Sequence, residues 1–143
     1  MVNTQLLKEH LGKYKFTKDS AAELHRQLFT LYPDLAKVWD AEDLDPDSLP
    51  KAQKFQRLGM GEIRALFNIV GESIDDHNCI VAVNEVCEYY KDLGFPLDEF
   101  PKIGEALVKA MELHAGGCTD EQKQTWLALF AAAHKMMKDR KMY

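Results

Sequence analysis

A chain of 143 residues with 46% apolar and 29% charged side chains has the size and composition of one ordinary globular domain, able to bury about two-thirds of its unfolded surface. Its formal net charge of -5 speaks against nucleic acid and anionic membranes, which are held by clustered lysine and arginine. Three cysteines without framework spacing predict thiols in a reducing, cytoplasmic setting, and no apolar run reaches the length of a bilayer span.

In chain order the elements read as helices. Asn3 or Thr4 can cap a first helix whose apolar side is Leu6, Leu7 and Leu11. Thr17 opens a second, "TKDSAAELHRQLFTLY", which Pro33 ends while starting the short segment "PDLAKVW". "DAEDLDPDS" reads as an acidic loop, with Ser48 expected to cap the next helix and Pro50 in its first turn. That helix carries "KFQRLGMGEIRALFNIVG", in which Phe55, Leu58, Ala65, Leu66, Ile69 and Val70 fall at the three-and-four spacing of one apolar face. A further helix runs from about Asn78 to Asp92 and is stopped by "LGFP". Asp98 is expected to cap "EFPKIGEALVKAMELH". The last helix opens on Thr119 and Gln122 as a capping box and aligns Trp126, Leu129, Phe130, Ala133 and Met137. No segment alternates with period two, so the prediction is an all-α fold in a single domain, residues 1–143.

Three polar residues interrupt these apolar faces. Glu62 lies four after Leu58 and four before Leu66, where burying an unpaired carboxylate would cost several kcal/mol. His25 sits among Ala21, Leu24, Leu28 and Phe29, and Tyr90 continues the row Val83, Val86 and Cys87. Each alone is explained by a buried side chain with one hydrogen bond. Three in one small domain point to a shared polar pocket.

Other constellations carry less. The acidic loop Asp40, Glu42, Asp43, Asp45 and Asp47 lacks the glycine and closing glutamate of a calcium loop, and reads as a solvated run. "DDHNC", with Asp75, Asp76, His77 and Cys79, has no second ligand pair at metal-site spacing and reads as a helix start. "LGMG" is preceded by no strand and followed by no Lys-Ser/Thr, so it is not a phosphate loop. No serine or cysteine nucleophile comes with a motif. His10, His114 and His134 sit near helix ends or on mixed faces and are expected to be structural or exposed; "KMMKDRK" reads as a helix end carrying cations against its dipole.

The helix order together with "FTLYPDLAKVW", "KFQRLGMGEIRAL", "YYKDLGFPLDEFPKIGEALVKAM" and "GGCTDEQKQTWLALF" resembles a globin nearly end to end, most like the invertebrate and nematode-type members. The resemblance implies about seven to eight helices in a three-on-three arrangement around a haem pocket. It also assigns positions. Counting back from Phe100 and Gly94, it puts Tyr90, or Tyr89 if the corner differs by one residue, where the family has its iron-binding histidine. Leu58 takes the distal histidine position, Glu62 falls one turn later over the iron, and His25 falls where an apolar residue or tyrosine faces bound ligand. Trp39 replaces the phenylalanine that wedges against the porphyrin. Every position that defines haem chemistry departs from the family pattern, while the scaffold does not.

Two readings follow. In the first the chain is a haem-free globin-fold module that binds a small apolar ligand or a partner, with room for a homodimer and no role in nucleic-acid binding or membrane insertion. His25 and Glu62, on crossing helices, would pair and fill space that a globin leaves for ligand. The sequence then supplies no catalytic residue and no metal ligand. In the second, Tyr90 holds ferric haem as a phenolate, with His25 and Glu62 as acid–base groups for peroxidase-type chemistry. Reversible oxygen carriage, which needs ferrous iron, is disfavoured in both.

Overall fold

The structure, a computed structural model, describes residues 2–71 and 76–143. Local chemistry explains most helix boundaries. Asn3 accepts the Leu6 N–H and starts α1 (Thr4–Leu11). Thr17 and Ser20 form a reciprocal capping box on α2 (Lys18–Ala21), which α3 (Glu23–Leu31) follows after Ala22. Pro33 opens a 3-10 segment, Pro33–Trp39, closed by Asp40 in the left-handed region at φ 55°. After a second 3-10 segment, Pro46–Lys51, come α4 (Gln53–Phe67) and α5 (His77–Leu93), the latter capped by Asp76 and ended by Gly94 at φ 81°. A 3-10 turn, Leu97–Glu99, leads into α6 (Phe100–His114), and the Thr119–Gln122 capping box starts α7 (Asp120–Asp139).

Three boundaries differ from expectation. The second helix is interrupted at Ala22, where α4 presses against its backbone: a β-carbon on Gly59 would lie 1.7 Å from the Ala21 carbonyl oxygen. Ser48 does not cap α4. Its hydroxyl donates to the Asp45 carbonyl, and Pro50 belongs to the separate 3-10 segment, as befits a ring that cannot complete an α-helical ladder. Asp98 does not cap α6 but lies within the preceding 3-10 turn. With proline at its second position, 101, that helix lacks one of the N–H groups a cap would satisfy.

The helices pack as the three-on-three expectation requires. α3 lies against α6, α6 against α7, α1 against α7, and α4 against α2, α3 and α5. Trp126, Phe100, Ile103, Leu107 and Phe130 are almost wholly buried where these faces meet, each worth about 1.5–3 kcal/mol relative to exposure. His10 ties α1 to the last helix: Trp126 Nε1 donates to its Nδ1 at 2.9 Å, and its Nε2 donates to the Gly117 carbonyl at 2.8 Å. Among the described residues no helix is long and apolar enough to cross a membrane.

Candidate functional site

The Gly59–Ala21 crossing sets the site. One turn beyond it, α3 supplies His25 and α4 supplies Glu62, and the two meet with Nε2 and Oε2 2.9 Å apart. Their side chains are 0% and 1% exposed. Aromatic rings enclose the imidazole: Trp39 and Phe55 stand edge-on at 5.0 and 5.3 Å between centroids, with Phe29 tilted at 5.8 Å.

From the opposite side α5 brings Tyr89 and Tyr90. The Trp39 indole donates to Tyr89 Oη at 3.4 Å, so the 3-10 segment and α5 touch directly. The Tyr90 ring packs on Phe95 at 5.2 Å and Phe100 at 5.9 Å. Burial, followed by the charge of Glu62 and a hydrogen bond to its carboxylate, pushes both tyrosine hydroxyls above their usual range. Both hydroxyls therefore belong to the surroundings of the same carboxylate.

Glu62 is the hub of this cluster, in ion-pair contact with His25 and within hydrogen-bonding reach of the Tyr89 and Tyr90 hydroxyls. His25 Nδ1, on the far side of the ring from Glu62, is buried without a hydrogen-bond partner among the described residues. The 2.9 Å between His25 Nε2 and Glu62 Oε2 is ion-pair distance, so each group compensates the burial of the other. Beside Tyr90 lies a void of about 10 Å³, lined by Cys87, Phe95, Phe100, Met137 and Tyr143 among others. Burial pushes the Cys87 thiol up to about 11, which keeps it an inert core group. The Tyr143 hydroxyl donates to the Phe95 carbonyl and covers this end of the interior.

Of the residues singled out in the sequence, His25, Glu62, Tyr90 and Trp39 converge here, with Tyr89 as the neighbour that contacts Trp39. Leu58 is half-buried and packs against the core. The acidic loop residues Asp40, Glu42, Asp43, Asp45 and Asp47 are exposed. Asp76 caps α5, His77 is exposed, and Cys79 is buried with its thiol against the Ile69 carbonyl; Asp75 lies outside the described residues. Among the described residues no three His, Cys, Asp or Glu side chains cluster as a metal site.

One buried charge is not signalled by the sequence pattern. Glu23 is 2% exposed and gathers His114 Nε2 at 2.9 Å and Gln27 Nε2 at 2.8 Å, with Arg26 at 3.4 Å. Its spacing to Gln27 and Arg26 is visible in the sequence, but that pattern equally describes an exposed helix face.

A family model described as Globin matches residues 22–137. Among solved structures, two of the globin-like protein GLB-1 of C. elegans resemble this chain at 20% identity. One has a TM-score of 0.76 and covers 99% of this chain and 98% of its own; the other has 0.77 with 96% and 93%. Haemoglobin of the botfly Gasterophilus intestinalis matches at 12% identity and a TM-score of 0.74, covering 94% and 91%. No curated protein matches the sequence. The structural likenesses speak for the fold, and the family model spans most of the chain: this protein belongs to the globin family.

Proposed function

We propose that this chain is a single-domain, cytoplasmic globin that does not hold haem and acts as a binding module. In this reading Tyr90 or Tyr89 stands at the proximal position, Leu58, Glu62 and His25 at the distal positions, and Trp39 at the porphyrin wedge. The observation that carries the proposal is the Trp39–Tyr89 contact of 3.4 Å. A globin haem lies between those two walls, held from α5 by a histidine. Here the walls meet, and α5 offers tyrosines instead. Glu62 adds a carboxylate whose charge is felt by both of those tyrosines. These residues do not fit an iron porphyrin.

Filling the pocket has a physical logic. A vacated cavity costs about 24 cal/mol per Å³ of unfilled volume, so a globin that gives up haem needs larger side chains moving inward. Tryptophan at 39 and tyrosine at 90 supply that volume, and the void left beside Tyr90 is about 10 Å³. Small-molecule pockets span about 300–1,000 Å³. That void has room for a water or an ion, and larger partners would have to dock on the surface.

Expression in a haem-replete host tests the proposal. The freshly purified protein is expected to be colourless, with no haem released on acid extraction. Stoichiometric haem in that extract would overturn it.

A further inference from the structure

An apolar groove of about 360 Å³ opens between the end of α3 and the two 3-10 segments. Phe29, Ala36 and Ala41 line it and are almost wholly buried, so they form its floor. Leu44 also lines it and is 47% exposed. Where the interior is closed, partners must dock outside. Resting on that binding-module reading, we infer that this groove docks a basic segment of a partner protein, with one apolar side chain seated on the floor and lysine or arginine to either side.

Charge names the partner. Of the 23 Asp and Glu in the chain, five (Asp40, Glu42, Asp43, Asp45 and Asp47) fall in a stretch of loop without lysine or arginine, and the remaining 18 are matched by 18 Lys and Arg. The net charge of -5 is therefore concentrated at this groove, to which Glu42, Asp45 and Asp47 contribute directly. Asp45 accepts the Asp47 N–H, and Asp47 takes Arg26 at 3.0 Å. The carboxylates of Asp40, Glu42 and Asp43 have no hydrogen bond or ion pair among the described residues. A cationic partner relieves their mutual repulsion, and their field steers its approach. Nucleic acid and anionic membranes have the wrong sign. A polypeptide segment offers the apolar group and several cations together.

The groove is built before a partner arrives. Backbone bonds from Asp40 N–H to the Lys37 carbonyl, Ala41 to Ala36, Leu44 to Ala41 and Ser48 to Asp45 hold its walls. A surface already ordered loses little conformational freedom on binding. Its volume suits a buried side chain, since ligand pockets begin at about 300 Å³.

The test follows the fluorescence anisotropy of a labelled oligolysine peptide with a central phenylalanine, and of the same peptide with serine in its place, on titration with the native chain. The phenylalanine peptide is expected to bind saturably at one site and to weaken with added salt. The serine peptide should bind about tenfold more weakly. Glu42→Gln combined with Asp43→Asn should weaken the phenylalanine peptide about fivefold, and Leu44→Ser by a similar factor. Glu85→Gln combined with Glu88→Gln removes the same charge from exposed positions on α5 and should leave the affinity unchanged. No saturable binding, equal binding of the serine peptide, or an equal loss in the α5 variant would overturn the site. Acid extraction of the same preparation separates the two levels. Haem in the extract with peptide binding intact overturns the haem-free reading alone, whereas a colourless protein that binds no peptide overturns this site alone.

Discussion

Gly59 of α4 passes so close to Ala21 of α2 that a β-carbon on it would lie 1.7 Å from the Ala21 carbonyl oxygen. Glu62 follows Gly59 by one turn and His25 follows Ala21 by one turn. The crossing that forbids a side chain at 59 therefore also sets the 2.9 Å approach of the imidazole and the carboxylate.

Gly59→Ala should accordingly destabilise the protein by about 3 kcal/mol, at the upper end of ordinary overpacking, because backbone rather than a movable side chain blocks the methyl group. Gly61→Ala is the internal control. Nothing lies within 4 Å of its added β-carbon, and helix propensity should make it neutral or stabilising by up to about 1 kcal/mol. Urea unfolding of the two variants measures the contrast; equal effects would show that the crossing is not tight.

Removing one member of the His25–Glu62 pair strands the other in an aromatic interior. His25→Leu and Glu62→Leu are each expected to cost about 3 kcal/mol or more, and the double variant less than their sum. A double-mutant cycle should return a coupling of at least about 1 kcal/mol. Strict additivity would mean that the two groups do not depend on each other.

Acid should weaken the protein through His10. Burial is the main cause lowering its pKa below the ordinary 6.5, with the charge of Lys13 acting the same way. The folded chain uses Nδ1 as an acceptor for Trp126, which a proton would forbid. The unfolded chain binds its proton near 6.5 and the folded chain only at lower pH. Between those values the unfolded state holds more protons, so stability is full above about pH 6.5 and falls as the pH drops below it. The melting-temperature gap between the native protein and His10→Gln should narrow from pH 7 to pH 5. A gap that stays constant would remove His10 from the acid response.

Much of this is legible in the order of residues alone. Helix existence follows from the three-and-four spacing, and Glu62, His25 and Tyr90 announce themselves by breaking it. The rest depends on contacts that periodicity does not encode. The interruption at Ala22 arises from pressure by α4, a helix more than thirty residues away in sequence. The start of α4 at Gln53 rather than near Ser48 is decided by Pro46 and Pro50 favouring a 3-10 segment. Glu23 has the spacing of a surface residue, yet His114, from α6, closes over it. Tyr89 gains weight only because its hydroxyl meets the Trp39 indole, a pairing between side chains fifty residues apart.

Restoring the missing histidine should not restore a haem site. Neither Tyr89→His nor Tyr90→His alone is expected to bind haem tightly, because Glu62 would still hold a carboxylate beside the iron and Trp39 would still occupy the porphyrin edge. Adding Glu62→Val and Trp39→Phe to the histidine variant should be required. Tight, globin-like binding by either single variant would show that the ligand was the only missing part.

Titrating the native protein with hemin and following the Soret region tests the closed pocket most directly. A pocket whose walls touch at Trp39 and Tyr89 predicts only the broad absorption of free or loosely adsorbed hemin, with no break at one equivalent. A sharp Soret band that saturates at one hemin per chain would contradict it.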